Sequence, residues 1–304
     1  MEGKPLLEEK KYMVAAPAVE TMSRVVVART LEVEDLFTED LGGIMVRERS
    51  YLSQILCAMC ERKTQFTVGA YDGSFVPDDA DDTVFTARPA MFHVKEESDC
   101  LPRYCCHQLR PLKLGMFPIG GSMQDEGAPG WPEDVNPILV IEKPFRCPIV
   151  CCCHMLFPFE ARIMRPASTQ MPAQYFGKAV FSWKWWNCMW PCVTYMDVFD
   201  AADNLQYSLR RPAACGEGCV NMCAPSCFNR VHRATISDAH GDEVAELLNV
   251  FPGLNARGIC QCNSAASNYI MKFPNSSNAI QKALLMGALF LNNFIFNERR
   301  ANQR

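Results

Sequence analysis

The C-terminal region constrains the fold more than any other part of the chain. Residues 283–296 read Ala-Leu-Leu-Met-Gly-Ala-Leu-Phe-Leu-Asn-Asn-Phe-Ile-Phe and would be apolar nearly all round a helix. Such a helix is about 21 Å long, shorter than the roughly 30 Å hydrocarbon core of a bilayer. A helix that is apolar on every side must be enclosed. We therefore predict a buried core helix in preference to a membrane span.

The preceding sequence supplies strands that can enclose this helix. Apolar residues alternate with polar or small ones around residues 66–70, 159–163, 179–185 and 269–273. Alternation of this kind predicts half-buried antiparallel strands. Turn residues lie at Asp72-Gly73, Asp200–Asn204 and Asp238–Gly241, while the Gly- and Pro-rich segment Met116–Asn136 predicts a long surface loop. The simplest enclosure is a β-barrel wrapped around the helix.

Composition excludes some functions and indicates a reducing compartment. The net charge is -4 and the pI is about 5.8, which does not favour nucleic acid binding. Residues Met1–Val14 lack the apolar core of a signal peptide, so an intracellular protein is expected. Its 17 cysteines then predict free thiols, acylation sites or metal ligands in preference to disulfides.

Several segments, taken in order, resemble the phospholipid scramblase family. An acid–cysteine run precedes an Arg-Pro motif, an arginine–cysteine motif precedes three consecutive cysteines, and a Gly-x-x-hydrophobic strand ends in tryptophan. The C-terminal apolar segment completes the resemblance. These features are Ser98–Cys106 with Leu109–Leu112, Pro144–Cys147 with Cys151–Cys153 and Glu160, Gly177–Trp183, and Leu284–Glu298.

The resemblance implies a tubby-like fold: a closed, antiparallel, twelve-stranded barrel threaded by the C-terminal helix. It predicts an N-terminal extension at 1–42 that is partly disordered, a barrel domain at 43–298 and a tail at 299–304. The central helix is expected at about 279–297. The residues expected to face the barrel interior are Leu284, Leu285, Gly287, Leu291 and Phe294.

The same resemblance implies a lipid-related function. We expect a protein that mediates or regulates transbilayer movement of phospholipids at the cytosolic face of a membrane, most readily the plasma membrane. The alternative is a membrane-tethered lipid-binding or protein-interaction adaptor without scrambling activity. A phospholipid membrane is the expected partner, while protein partners and homo-oligomers are left open.

Calcium is implied by the family, but its acidic ligands are absent here. The family's acidic positions before the final helix fall on Ala265, Ser267 and Ser276, and Lys272 adds a positive charge. Calcium requires six to eight oxygen ligands, and the number of carboxylates sets its affinity. We therefore expect weakened or lost calcium dependence.

Cys147 and the run Cys151, Cys152 and Cys153 are the candidate lipidation sites. Two acyl chains give a stable anchor where one chain gives a marginal one. The alternative is that these residues are small buried hydrophobes. Three consecutive strand residues cannot all face one side, however, which favours at least one outward thiol and S-palmitoylation.

A second cysteine series recurs every four residues at Cys215, Cys219, Cys223 and Cys227. Four thiolates can bind zinc, but structural zinc sites use paired cysteines separated by a longer loop. Zinc is therefore not favoured over acylation or plain loop thiols.

No catalytic motif accompanies these candidates. The five histidines lie in unrelated contexts without a recognisable nucleophile motif, so an enzyme is not predicted. Tryptophans cluster at Trp183, Trp185, Trp186 and Trp190. The first two are expected in the core, and the last two are candidates for contact with lipid headgroups.

Overall fold

The computed structural model describes residues 32–49, 63–99, 102, 109–122, 135–146, 158–168, 171–182, 193–212, 220–253 and 267–296. Their strands form a closed antiparallel barrel in which each strand pairs with its sequence neighbours, and β1 closes the ring by pairing with β12. The strands are β1 Gly43–Glu48, β2 Gln65–Ala70, β3 Pro89–Glu97, β4 Leu112–Ser122, β5 Leu139–Lys143, β6 Glu160–Arg165, β7 Gln174–Ser182, β8 Val193–Asp200, β9 Leu205–Pro212, β10 Val231–Asp238, β11 Glu243–Val250 and β12 Asn268–Lys272.

The barrel encloses one long helix, Ala279–Phe296, which we call the central helix. Its apolar side chains join the inward-facing residues of the strands in one core, and Phe290 packs against Phe66 of β2 with ring centroids 4.8 Å apart. The five residues expected to face the barrel interior, Leu284, Leu285, Gly287, Leu291 and Phe294, are all buried. The predicted mainly β fold, a twelve-stranded barrel around an apolar helix, is confirmed.

Close packing explains the glycine within the central helix. A Cβ atom on Gly287 would lie 2.6 Å from two side-chain carbons of Ile163 on β6. Gly177, in the Gly-x-x-hydrophobic segment, has a φ of +148° and lies opposite Asp200 in the β7–β8 pair. A Cβ there would meet the carbonyl oxygen of Phe199. Both glycines therefore permit close contacts within the barrel.

The central helix is long and apolar enough, by length and composition, to cross a membrane. It has 18 residues, however, and 78% of it is buried within the protein. Near the start of the helix, the ammonium group of Lys282 donates to the carbonyl oxygens of Thr38 and Glu39, at 2.8 and 3.1 Å. The short helix Val33–Leu36 also packs its apolar residues into the main core, a contact that the sequence analysis did not predict.

The prediction of a long surface loop at Met116–Asn136 is wrong over its first part. β4 continues to Ser122, and the side chains of Met116 and Phe117 are fully buried. Met116 pairs with Leu139 of β5. Glycine and proline in this segment suggested a loop, but Pro118 and Gly121 lie in a strand and pair with Phe92 and Ala90 of β3.

The connection 71–88 also differs from the tight turn predicted at Asp72-Gly73. It contains a 3₁₀ turn, Pro77–Asp79, and a helix, Asp82–Thr86. Phe85 of that helix joins a second apolar cluster with residues of β1, β10, β11 and β12. Asp82 pairs with Arg47 at 2.9 Å. This connection therefore covers part of the outer surface of the barrel.

Candidate functional site

The two ends of the barrel differ because successive strands run in opposite directions. β1, β3, β5, β7, β9 and β11 finish at one end, so the six connections that follow them begin and end there. The bounds of the strands give these connections as residues 49–64, 98–111, 144–159, 183–192, 213–230 and 251–267.

All 17 cysteines of the chain fall within these six connections. The connections make up less than a third of the sequence, and none of the described strands contains a cysteine. The tryptophan cluster at 183–190 belongs to the same set. We call this end the cysteine end, and the opposite end the turn end.

The central helix also has a defined direction between the two ends of the barrel. It begins near the turn end, where the amide of Gln281 donates to the side-chain oxygen of Gln206 at 3.1 Å. It finishes at the cysteine end, where the guanidinium of Arg211 lies 4.2 Å from the ring centroid of Phe296. The central helix therefore runs from the turn end to the cysteine end of the barrel.

A buried ion pair lies between the apolar core and the cysteine end of the barrel. Glu96 of β3 is fully buried and pairs with Arg110 at 3.2 Å. Arg110 also lies 5.8 Å from the ring centroid of Phe294 on the central helix. Burial opposes ionisation of Glu96, but Arg110, Ser98 and Thr64 together hold the pKa of this carboxyl below its ordinary value. The pair thus fixes the start of β4 beside the end of the helix.

Two further polar contacts lie near this ion pair, and together they form a polar layer between the apolar core and the cysteine end. The buried ammonium of Lys143 donates to the carbonyl oxygen of Arg110 at 2.8 Å and lies 5.5 Å from the ring centroid of Phe159. The hydroxyl of Tyr269 donates to the side-chain oxygen of Asn293 at 2.5 Å. The asparagines of the apolar helix therefore lie where the core becomes polar.

The connection that carries the three consecutive cysteines has a clasp at its base. Arg146, which precedes the cysteines of this connection, pairs with Glu160 at the start of β6 at 2.8 Å. Glu160 also pairs with Arg162 of the same strand at 2.7 Å. Arg146 and Glu160 belong to the segments that carry the family resemblance. The structure gives them a local role, which is to bring together the two ends of the segment 147–159.

A cleft of about 380 Å³ opens at the rim of the cysteine end, between β3, β4 and β5. Lysine and carboxylate side chains both line it: Lys63, Lys113, Lys143, Glu97, Asp99 and Glu142. Sequence reasoning missed this group, because lysine and acidic residues at strand ends have the pattern of an ordinary solvated surface.

The cysteine end also exposes large apolar side chains. Phe145 is half-exposed, and Phe228 is 91% exposed. Val220 and Met222 are also exposed in the same connection as Phe228. Exposed apolar side chains on a described rim are candidates for contact with a partner or a lipid surface.

The predicted lipidation sites, Cys147, Cys151, Cys152 and Cys153, lie outside the described residues. Of the four cysteines weighed as zinc ligands, Cys215 and Cys219 lie outside as well, and Cys223 and Cys227 are free and exposed. Trp183, Trp185, Trp186 and Trp190 are also outside. Within the described residues, no group of three or more His, Cys, Asp or Glu side chains is placed to hold a metal ion.

The family calcium positions do not come together. Ala265 lies outside the described residues; Ser267 precedes β12 and Ser276 follows it. A five-residue strand spans about 17 Å, so these two positions lie at opposite ends of β12. The backbone N–H of Ser267 donates to Glu48 at 3.1 Å, whereas Ser276 is exposed. Calcium ligands lie about 2.3–2.6 Å from the ion, so these two serines cannot share one site.

The fold and the polarity of its ends define a closed barrel with an enclosed apolar helix and a cysteine-bearing end. The chain is 23% identical over 215 residues to phospholipid scramblase 1 of Rattus norvegicus. The match covers 70% of this chain and 52% of the relative, so the chain spans about half the length of that curated protein. No family model matches the chain, and no solved structure matches it.

Proposed function

We propose that this chain is a scramblase-like protein with a tubby-like barrel that acts at a membrane surface, where it mediates or regulates transbilayer movement of phospholipids. The observation that carries the proposal is the placement of all 17 cysteines in the connections at one end of the barrel. The similarity to phospholipid scramblase 1 supports the lipid-related part of it. The proposed activity moves lipids and makes no covalent change in them.

The cysteine end is the face proposed to contact the membrane, on its cytosolic side and at the plasma membrane. S-acylation of Cys147 and Cys151–Cys153 would provide several chains on one segment, and a second chain converts a marginal anchor into a stable one. The Arg146–Glu160 clasp supports this arrangement because it ties that segment to the rim. The rim cleft offers lysines for a headgroup phosphate and carboxylates for a headgroup amine.

Acylation is tested by the mass of the protein purified from eukaryotic cells. A hydroxylamine-sensitive increase is expected, and it should be lost when Cys151, Cys152 and Cys153 are changed to serine. The matched control changes Cys223 and Cys227 to serine in another connection of the same end. Persistence of the full increase in the triple variant would place the anchor elsewhere.

Lipid movement is tested by reconstituting the chain into phosphatidylcholine vesicles that contain a dye-labelled phosphatidylcholine in both leaflets. Dithionite bleaches the outer leaflet only, so empty vesicles retain about half of the signal. We expect vesicles with protein to lose most of the remainder, with less than about a twofold change on adding calcium because the carboxylate ligands are missing. A signal that stays at the level of the empty vesicles would contradict scrambling.

The second candidate function is a membrane-tethered adaptor that binds lipid or protein without scrambling. The enclosed helix favours it, because Leu289, Phe290 and their neighbours fill the barrel interior and leave no described channel for a headgroup. Scrambling by this chain would then require oligomers or release of the helix. An adaptor predicts vesicle binding together with unchanged dithionite protection.

A further inference from the structure

The connection between β9 and β10 presents its apolar side chains outward. Within residues 220–229, which we call the apolar loop, Phe228 is 91% exposed, Met222 is 56% exposed and Val220 is 52% exposed. Cys223 and Cys227 lie between them as exposed free thiols. Apolar side chains that are exposed together on one surface mark candidate sites of contact with a partner or a membrane.

The apolar loop is held in shape by side-chain amides. Asn221 is buried, and its amide donates to the carbonyl oxygens of Pro212 and Arg233, each at 2.9 Å. Its side-chain oxygen accepts from the backbone N–H of Arg233 at 2.7 Å. These three bonds fix the start of the loop to both strands that carry it.

A second amide closes the loop on itself. Asn229 donates to the carbonyl oxygens of Val220 and Met222, at 2.7 and 3.1 Å. The backbone N–H of Ser226 donates to the carbonyl oxygen of Asn229 at 2.7 Å, and the hydroxyl of Ser226 accepts from the backbone N–H of Phe228 at 3.2 Å. The shape that exposes Phe228 is therefore built into the folded chain.

We propose that the apolar loop inserts into the headgroup–acyl boundary of a phospholipid bilayer through Val220, Met222 and Phe228. Backbone polar groups are costly in an apolar phase unless they are paired. Asn221, Ser226 and Asn229 provide that pairing within the loop. Residues 220–230 contain no acidic side chain and end in Arg230, whose guanidinium donates to the carbonyl oxygen of Ala80 at 2.7 Å.

A bilayer suits this surface better than a folded protein does. A stable protein interface buries about 1,200–2,000 Å² in total, with some 20–30 residues on each side. Three apolar side chains on one short turn are a much smaller contact, whereas a lipid surface needs no matching partner surface and binding to it grows with the apolar area buried. The other cysteine-bearing connections lie at the same end, so insertion here is compatible with acyl anchors on its neighbours.

This inference rests on the proposed membrane contact of the cysteine end. The experiment distinguishes a failure of the inference from a failure of the proposed function. The full chain is attached by an N-terminal histidine tag to phosphatidylcholine vesicles that contain nickel-chelating lipid, so contact with a bilayer does not depend on its own affinity. Labelling of Cys223 and Cys227 by an impermeant maleimide is followed by peptide mass mapping. We expect these thiols to react about tenfold more slowly on vesicles than in solution, since burying one phenylalanine accounts for a factor of this size.

Matched variants identify the cause of the protection. Phe228→Asp should bring the labelling rate back to within about twofold of the rate in solution, and Phe228→Trp should keep the protection because indole favours the interface. Phe228 is almost fully exposed, so neither change disturbs the core. Ala202→Cys places a thiol in an exposed turn at the other end, and its rate should not change on vesicles.

Equal labelling of Cys223 and Cys227 on vesicles and in solution would overturn the inference, and so would full protection in the Phe228→Asp variant. Docking of the loop on a protein would give the first of these results. A chain that scrambles while its loop thiols stay reactive contradicts only the inserted loop. A chain with protected thiols and no lipid movement contradicts only scrambling.

Discussion

The two ends of the barrel differ in the connections that join neighbouring antiparallel strands. At the turn end, β8–β9 and β10–β11 are joined by short turns in which one aspartate accepts from backbone N–H groups. Asp200 accepts from Ala202 and Asn204, each at 2.9 Å, and Asp238 accepts from His240 and Asp242 at 2.8 and 3.0 Å. At the cysteine end, all six connections are longer than these two turns, and together they hold every thiol of the chain. The connection 71–88 at the turn end is also long, but it contains no cysteine.

This difference places the candidate functional groups, the cysteines, at one end of the barrel. Short aspartate turns fix the register of the strands and contain no reactive group. At the other end, Glu96, Arg110 and Lys143 lie between the apolar core and the rim formed by β3, β4 and β5. Residues in the connections above this polar layer can therefore differ in sequence without exposing the apolar core.

The largest expected effect comes from removing the cation of that layer. Arg110→Ala leaves Glu96 buried without its ion-pair partner, which should lower the free energy of unfolding by about 3–5 kcal/mol. The matched control is Lys178→Ala near the turn end, because its ion-pair partner Asp203 is exposed and stays solvated without it. That change should cost less than about 1 kcal/mol. Urea unfolding of both variants measures the difference, and equal losses would contradict the comparison.

The same pair predicts a pH dependence. The folded state lowers the pKa of Glu96 below its ordinary value of 4.5, so the unfolded state binds the proton more tightly. Stability from this group is therefore fully present above about pH 4.5 and is lost as the pH falls through the lower pKa of the folded state. Urea midpoints between pH 7 and pH 3 should show this loss.

The matched variant for the pH experiment is the double change Glu96→Gln with Arg110→Met. It removes the titrating carboxyl and the opposing charge together, so the fall in stability on acidification should be smaller than in the unchanged chain. Identical acid dependence in the two proteins would show that other carboxyls cause it.

A smaller effect is expected from Gly287→Ala. The added methyl meets Ile163 at 2.6 Å, and overpacking of a core costs about 1–3 kcal/mol. Ile163→Val removes one methyl group from that neighbour and should restore part of the loss in the double variant. Thermal unfolding of the single and double variants measures this, and additive losses would show that Ile163 is not the obstacle.

The smallest effect belongs to the turn end. Asp200→Ala removes the side-chain acceptor of two backbone N–H groups in the β8–β9 turn and should lower the free energy of unfolding less than the changes above. Vesicle binding should be unchanged in this variant, because its turn lies at the end proposed to face away from lipid. Loss of vesicle binding with little loss of stability would contradict the assignment of the two ends.

The sequence predicted the enclosed helix and the barrel because an all-round apolar segment next to period-two strands has few other solutions. It did not predict the Glu96–Arg110 pair, since a charged residue in an alternating strand has the same pattern whether it faces solvent or a buried partner. The β4 segment after Met116 was missed because local glycine and proline preferences are weaker than pairing with the neighbouring strand β3.

The common location of the cysteines could not be read from spacing alone. It depends on the number of strands between one cysteine group and the next, and a single strand missed or added would have moved half of the groups to the other end. Once the twelve strands are in order, the location follows from their alternating direction. The contacts of Arg146 and Glu160 likewise required the register of β6, although both residues were present in the resemblance.

The most direct test of the central claim is hydrogen–deuterium exchange of the chain bound to phosphatidylcholine vesicles, compared with the free chain. We predict added protection at residues 144–146 and 220–230, no change at the turns 200–204 and 238–242, and slow exchange throughout the central helix in both states. Protection confined to those two turns, or rapid exchange of residues 279–296 on binding, would contradict a barrel that meets the membrane with its cysteine end.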